Sequence, residues 1–117
     1  MKTILLVDDS FIARNGIKIL CKELSLEVLE AEGGEKALEI IKTTPPDLIL
    51  LDLLMPEPDG FAVLKALQDM KKAPPTIILS ADIQVTTQKK CFQLGAAAFV
   101  KKPPNKETLL TTIREYL

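Results

Sequence analysis

The chain has 117 residues, 47% of them hydrophobic, enough for one sizeable core with little left for a second. A formal charge of -1 and an aromatic share of 4% give neither an electrostatic footprint for nucleic acid nor a stacking platform for bases, so direct DNA or RNA binding is not expected.

After Met1-Lys2-Thr3 comes the apolar run Ile4-Leu5-Leu6-Val7. Asp8-Asp9 ends it well short of the ~7–15 apolar residues of a signal peptide, so it reads as a first strand. Ser10 is a candidate N-cap for a helix over Phe11 to Glu23, whose apolar side gathers Ile12, Gly16, Ile19 and Leu20. A short strand is predicted from Glu27 to Ala31. Gly33-Gly34 then makes a turn, and Ala37, Ile40 and Ile41 mark a second helix that Pro45-Pro46 stops.

Leu48-Ile49-Leu50-Leu51 is a third strand running into Asp52. Gly60 to Met70 forms a helix with Phe61, Leu64 and Leu67 on one side, and Pro74-Pro75 breaks the chain ahead of Thr76-Ile77-Ile78-Leu79, which runs into Ser80. Ile83 to Leu94 carries mostly polar residues, with only Val85, Phe92 and Leu94 to anchor it, so a loosely held and largely exposed helix is expected. Lys89-Lys90 reads as its solvated face. Ala98-Phe99-Val100 leads to Lys101-Lys102, and a last helix near Lys106 to Leu117 offers Leu109, Ile113, Tyr116 and Leu117 for burial. No segment is apolar over the length of a membrane span. Cys21 and Cys91 lack metal-ligand spacing and the chain has no His, so both read as reduced structural thiols in a cytoplasmic protein.

Strands alternating with helices imply a parallel α/β sheet, because parallel strands need crossover connections. In such sheets reactive groups gather at the carboxyl ends of the strands, where this chain places Asp8, Asp9, Asp52, Ser80 and Lys101-Lys102. Alone, each has an ordinary explanation: a helix N-terminal charge pair, a turn former, a cap, a solvated strand end. Together they describe one pocket.

In the doubly wound strand order 2-1-3-4-5, the first and third strands are neighbours, which brings Asp8, Asp9 and Asp52 together. Such a cluster must hold protons or recruit a cation, and oxygen ligands without His or Cys favour Mg²⁺. A carboxylate can attack phosphorus if positive charge neutralises the equatorial oxygens, a role open to Mg²⁺ and a lysine, while Ser80 can donate a hydroxyl proton to a phosphoryl oxygen.

The chain resembles a response-regulator receiver domain, similar to single-domain chemotaxis regulators, over nearly its whole length. The resemblance rests on Asp8-Asp9, on Asp52 followed by Leu53-Leu54-Met55-Pro56 and Asp59-Gly60, on Ser80-Ala81, and on Gly95-Ala96 leading to Lys102-Pro103. It implies a flavodoxin-like (βα)5 fold for residues 1–117, either a free regulator or part of a larger chain. It also implies Asp52 as phosphoacceptor, and Asp8, Asp9, Asp52 and the Leu54 backbone carbonyl as Mg²⁺ ligands. Ser80 becomes the switch hydroxyl, Phe99 the aromatic switch residue, and Lys102, which precedes proline as the family's lysine does, the phosphate contact.

The function so implied is a phosphorylation-activated signalling switch of a two-component system. Its donor is a histidine kinase or phosphotransfer protein, and its downstream target meets the face formed by the fourth helix, fifth strand and fifth helix. An aspartate-nucleophile phosphatase of haloacid-dehalogenase type is the rival, but it needs a second acid two residues after the nucleophile, where this chain has Leu54. A flavin-binding flavodoxin would need a phosphate-cradling loop where this chain has Asp8-Asp9.

Overall fold

A computed structural model describes residues 1–117. The strands are β1 (Lys2–Val7), β2 (Leu26–Ala31), β3 (Leu48–Asp52), β4 (Thr76–Ser80) and β5 (Ala98–Lys101). They alternate with α1 (Phe11–Leu20), α2 (Gly34–Thr43), α3 (Gly60–Gln68), α4 (Val85–Gln93) and α5 (Lys106–Tyr116). All strand pairs are parallel and the order is β2-β1-β3-β4-β5, the doubly wound flavodoxin-like arrangement that the alternation predicts.

Helices cover both faces, which is why β3 and β4 are buried at every position and read as unbroken apolar runs. Side-chain alternation sends Leu5, Val7, Ile49, Leu51 and Ile78 to one core with Ala37, Ile41, Val63 and Leu64. Ile4, Leu6, Leu48, Leu50, Ile77 and Leu79 enter the other, with Ile17, Leu109 and Ile113. Register Val7↔Leu51 aligns the next residues of the two strands, Asp8 and Asp52, at the carboxyl edge.

The helix faces differ from expectation in places. α1 ends at Leu20 and tightens into a 3-10 turn over Cys21–Glu23, and its buried residue is Ile17 at 4% exposure, whereas Ile12 is 83% exposed and Gly16 and Ile19 also face outward. Apolar residues occur all round this helix, so periodicity does not set its phase. The sheet selects the stripe through Ile17, Leu20 and Cys21.

α4 is short and largely exposed as expected, but its anchor is Cys91, at 0% exposure, while Val85 is 66% and Phe92 48% exposed. A free thiol packs as a small hydrophobe, and reading it only as a thiol hides that role. Lys90 is not merely solvated: its ammonium lies 4.1 Å from the centroid of the Phe61 ring on α3. On α5, Leu110 joins Leu109 and Ile113 in the interior, and Tyr116 is half out, its hydroxyl donating to the Ala97 carbonyl at 2.9 Å. Gly34 opens α2 rather than forming a turn. A Cβ there would stand 2.3 Å from the Pro58 carbonyl oxygen, so this position needs glycine for close approach.

Candidate functional site

Three carboxylates converge at the β1 and β3 ends: Asp8, Asp9 and Asp52 each bring an oxygen within 4.8 Å of the others. Asp8 and Asp52 are buried and Asp9 is exposed. Local structure orients them. The Asp8 N–H donates to Ala31 on β2 at 3.1 Å, and one Asp8 carboxylate oxygen accepts the Ser10 N–H at 2.8 Å. Ser10 in turn caps α1 by accepting from the Ala13 N–H at 3.1 Å.

From the far side of the switch point, Lys102 reaches across. Its Nζ stands 2.5 Å from Asp8 Oδ2 and 3.5 Å from Asp52 Oδ2. Lys101 faces outward, so Lys102 is the lysine brought into the cluster, and the Lys102-Pro103 bond is cis. The Lys102 N–H donates to the Ser80 carbonyl at 2.9 Å, tying the β4 and β5 ends together. Ser80 is fully buried, and its Oγ accepts the Asp82 N–H at 3.0 Å. The Leu54 side chain is 65% exposed, and its N–H points at Asp52 Oδ1 over a long 3.4 Å. Phe99 is half-buried against the core that holds Cys91 and Ile78.

The electrostatics show an unresolved negative charge. Burial, and then the Asp8 charge, push the Asp52 carboxyl above its ordinary range, and Lys102 only partly opposes them. Burial alone would lower Lys102, but the hydrogen bond to Asp8 and the Asp52 and Asp8 charges outweigh it and raise the ammonium. One lysine therefore faces three carboxylates. With every donor an oxygen and no His in the chain, the set fits a hard divalent cation such as Mg²⁺.

Residues 4–114 match the response regulator receiver domain family. The chain belongs to that family. The receiver is 31% identical over 116 residues to the chemotaxis protein CheY of Halobacterium salinarum, covering 99% of this chain and 97% of that protein. It is 38% identical over 111 residues to the response regulator RR06 of Streptococcus pneumoniae, covering 95% of this chain but 51% of RR06. Among solved structures, the chemotaxis response regulator CheY4 of Vibrio cholerae superposes with a TM-score of 0.91 at 30% identity, covering 100% of this chain and 99% of that one. The Francisella response regulator 1452 receiver domain gives a TM-score of 0.92 at 28% identity, covering 99% and 96%. Receiver domains are signalling switches of two-component systems rather than ordinary enzymes. They work with histidine kinases or phosphotransfer proteins and with downstream targets, and they generally bind Mg²⁺ at an acidic pocket.

Two supports of the receiver's pocket escape a reading of strand ends. Arg14 on α1 donates to the Asp8 backbone carbonyl at 2.6 Å and to Glu30 on β2 at 3.0 Å, and Lys18 meets the other Glu30 oxygen at 3.0 Å. Edge strand β2 thus props the pocket through Glu30, although it ends in no residue of the acidic cluster. The Lys18 hydrogen bond foremost, and Arg14 beside it, hold the Glu30 carboxyl low. The second support is Asp82. Helical spacing of Arg14 and Lys18 is a visible signal for the first; for the second, the place of Asp82 two residues beyond Ser80 is visible, but its bond to the Ser80 hydroxyl is not.

Proposed function

We propose that residues 1–117 form one receiver domain that accepts a phosphoryl group on Asp52 from the phosphohistidine of a histidine kinase or phosphotransfer protein. An Asp52 carboxylate oxygen attacks phosphorus in line, and the P–N bond of the donor breaks with its electron pair returning to the imidazole. The observation that carries this reading is the meeting of Asp8, Asp9 and Asp52 within 4.8 Å beside the Lys102 ammonium. Carboxylates alone would repel a phosphoryl group, and a lone lysine does not neutralise them.

Asp8, Asp9, Asp52 and the Leu54 carbonyl would hold Mg²⁺, which when bound supplies the positive charge that offsets the carboxylates and the phosphoryl oxygens. Lys102 holds one equatorial oxygen and Ser80 donates its hydroxyl proton to another. Both side chains are drawn toward the phosphoryl group. Phe99 responds, and the α4-β5-α5 face changes for a downstream protein target. Such a switch turns over no external substrate, has no need of nucleic acid, and works in the cytoplasm, where its free thiols stay reduced.

The test is incubation with a ³²P-labelled histidine kinase in Mg²⁺. Label should move to this chain and be released by hydroxylamine, as acyl phosphates are. Label that stays on the kinase, or that resists hydroxylamine, defeats the reading.

The exposed Leu54 side chain stands beside Asp52 and has no polar group to position an attacking water. The phosphoryl group should therefore be long-lived, and Leu54→Asn should hasten its loss by about two- to tenfold, the effect of one net hydrogen bond to that water. Phosphate release measured after removal of the kinase gives the comparison, and a slower Leu54→Asn protein contradicts the assignment.

A further inference from the structure

We propose that Asp82 is a positioning residue that ties the Ser80 hydroxyl to the free end of α4, so that the helix pivots about its C-terminal end when that hydroxyl is drawn away. The inference rests on the reading of Ser80 as the group that meets the phosphoryl oxygens.

The two ends of α4 are held very differently. At the C-terminal end, Cys91 is fully buried in the core with Val63 and Leu67. Gln68 of α3 donates its side-chain N–H to the Gln93 carbonyl at 3.1 Å, and Lys90 covers the Phe61 ring. The N-terminal end has none of this. Val85 is exposed, Thr86 is exposed, and the N-cap residue Gln84 provides no side-chain cap.

Gln88 folds its side-chain amide back to the Ile83 carbonyl at 2.9 Å, a bond within the segment itself, and the one side chain that links that end to the pocket is a carboxylate. Asp82 Oδ1 accepts the Gln84 N–H at 3.1 Å, and Oδ2 accepts the hydroxyl of Thr87, in the first turn of the helix, at 2.8 Å. The same residue's N–H donates to Ser80 Oγ at 3.0 Å. Asp82 is therefore bonded at one end to the buried hydroxyl of the pocket and at the other to the first turn of a helix pivoted far from it.

If Ser80 turns its oxygen away, the Asp82 N–H loses its acceptor beside a buried site, a state that costs free energy until the loop moves. Loop movement carries the carboxylate and, through Thr87, the unanchored end of α4. Cys91 and the α3 contacts stay in place, so the displacement grows from residue 93 toward residue 85. In the resting protein the same tie works in the opposite sense, holding α4 down and Ser80 back from the phosphoryl position.

The experiment compares wild type with Thr87→Val, which keeps the branched shape and removes the hydroxyl, with Asp82→Ala, and with Thr87→Ser as rescue. Without ligand, amide hydrogen exchange of residues 85–88 should rise by about two- to tenfold in Thr87→Val and Asp82→Ala, the range set by one net hydrogen bond, while residues 91–93 stay at wild-type rates. In Mg²⁺, beryllofluoride, a phosphoryl mimic, should bind both variants tighter by a similar factor, because the resting form has lost a tie that the activated form does not use. Thr87→Ser should match wild type in both measurements. Unchanged exchange, an increase spread evenly along α4, or unchanged or weaker beryllofluoride affinity overturns the inference. Failure of beryllofluoride to perturb the Asp52 and Ser80 amides of the wild-type protein would instead overturn the phosphoacceptor reading, and the exchange gradient would still decide whether the tie exists.

Discussion

Asp52→Asn should accept essentially no label from a histidine kinase and, in EDTA, should melt at a higher temperature than the wild-type protein. Loss of labelling follows from chemistry: an amide oxygen is a poor nucleophile, and removing a nucleophile costs on the order of a thousandfold or more. The gain in stability follows from the pocket. Asp52 is buried, and burial followed by the neighbouring Asp8 charge raises its carboxyl above the ordinary range. The folded state thus binds a proton there more tightly than the unfolded chain does. Stability from this group is full below the ordinary aspartate pKa, falls as pH rises toward the raised value, and stays reduced above it. Lys102 runs the same way but only in alkali, because its raised ammonium keeps its full contribution below its ordinary pKa and loses it as pH rises through the folded value. Asparagine removes the penalty and gives up little of the Lys102 interaction, since that ammonium is 3.5 Å from Asp52 but 2.5 Å from Asp8. A gain of about 0.5–2 kcal/mol at neutral pH is expected, shrinking in acid. Thermal melts from about pH 4 to 8 measure it. A variant that melts lower than wild type throughout would mean that Asp52 is not electrostatically burdened.

The sheet and the pocket were legible for one reason. Parallel strands covered on both faces must be apolar at every position, so Leu48 to Leu51 and Thr76 to Leu79 stand out, and any polar residue that closes such a run is conspicuous. Asp8, Asp52 and Ser80 are visible because their neighbours are uniform. Amphipathic helices give no such contrast. α1 offers Phe11, Ile12, Ile17, Ile19 and Leu20 around its circumference, and only the sheet beneath decides that Ile17 goes in. α4 hides its anchor in a cysteine. The pocket contacts of Arg14 and Asp82 escape for a third reason, even where spacing marks the residues, because each is made through a backbone group, the Asp8 carbonyl or the Asp82 N–H, that every residue possesses. Which backbone atom a side chain meets depends on loop paths that residue type does not encode.

Gly60→Ala should be among the most damaging single-methyl changes in the chain, and it should harm the pocket along with the fold. Gly60 begins α3 directly against the exit of β3: its N–H donates to the Leu53 carbonyl at 3.1 Å, and Asp59 caps the helix by accepting from the Ala62 N–H at 3.0 Å. A Cβ at residue 60 would lie 2.5 Å from the Asp52 carbonyl oxygen and 2.6 Å from the Leu53 Cα. Both are backbone atoms, so no rotamer change relieves the overlap, and either α3 or the chain carrying Asp52 must move. Overpacking of this kind costs about 1–3 kcal/mol. Displacement of the Asp52 carboxylate is the larger functional consequence, because a misplacement of about 1 Å can slow an oriented reaction by about 100-fold. Gly16→Ala is the matched control. Its Cβ would have nothing within 4 Å on the outward side of α1, and alanine is the better helix former, so that variant should gain up to about 1 kcal/mol and label normally. Denaturant unfolding and the ³²P transfer rate, measured on both proteins, separate the two effects. If Gly60→Ala unfolded at the wild-type midpoint and labelled at the wild-type rate, α3 would not be pressed against the Asp52 backbone, and the geometry that fixes Asp52 opposite Asp8 would need another source.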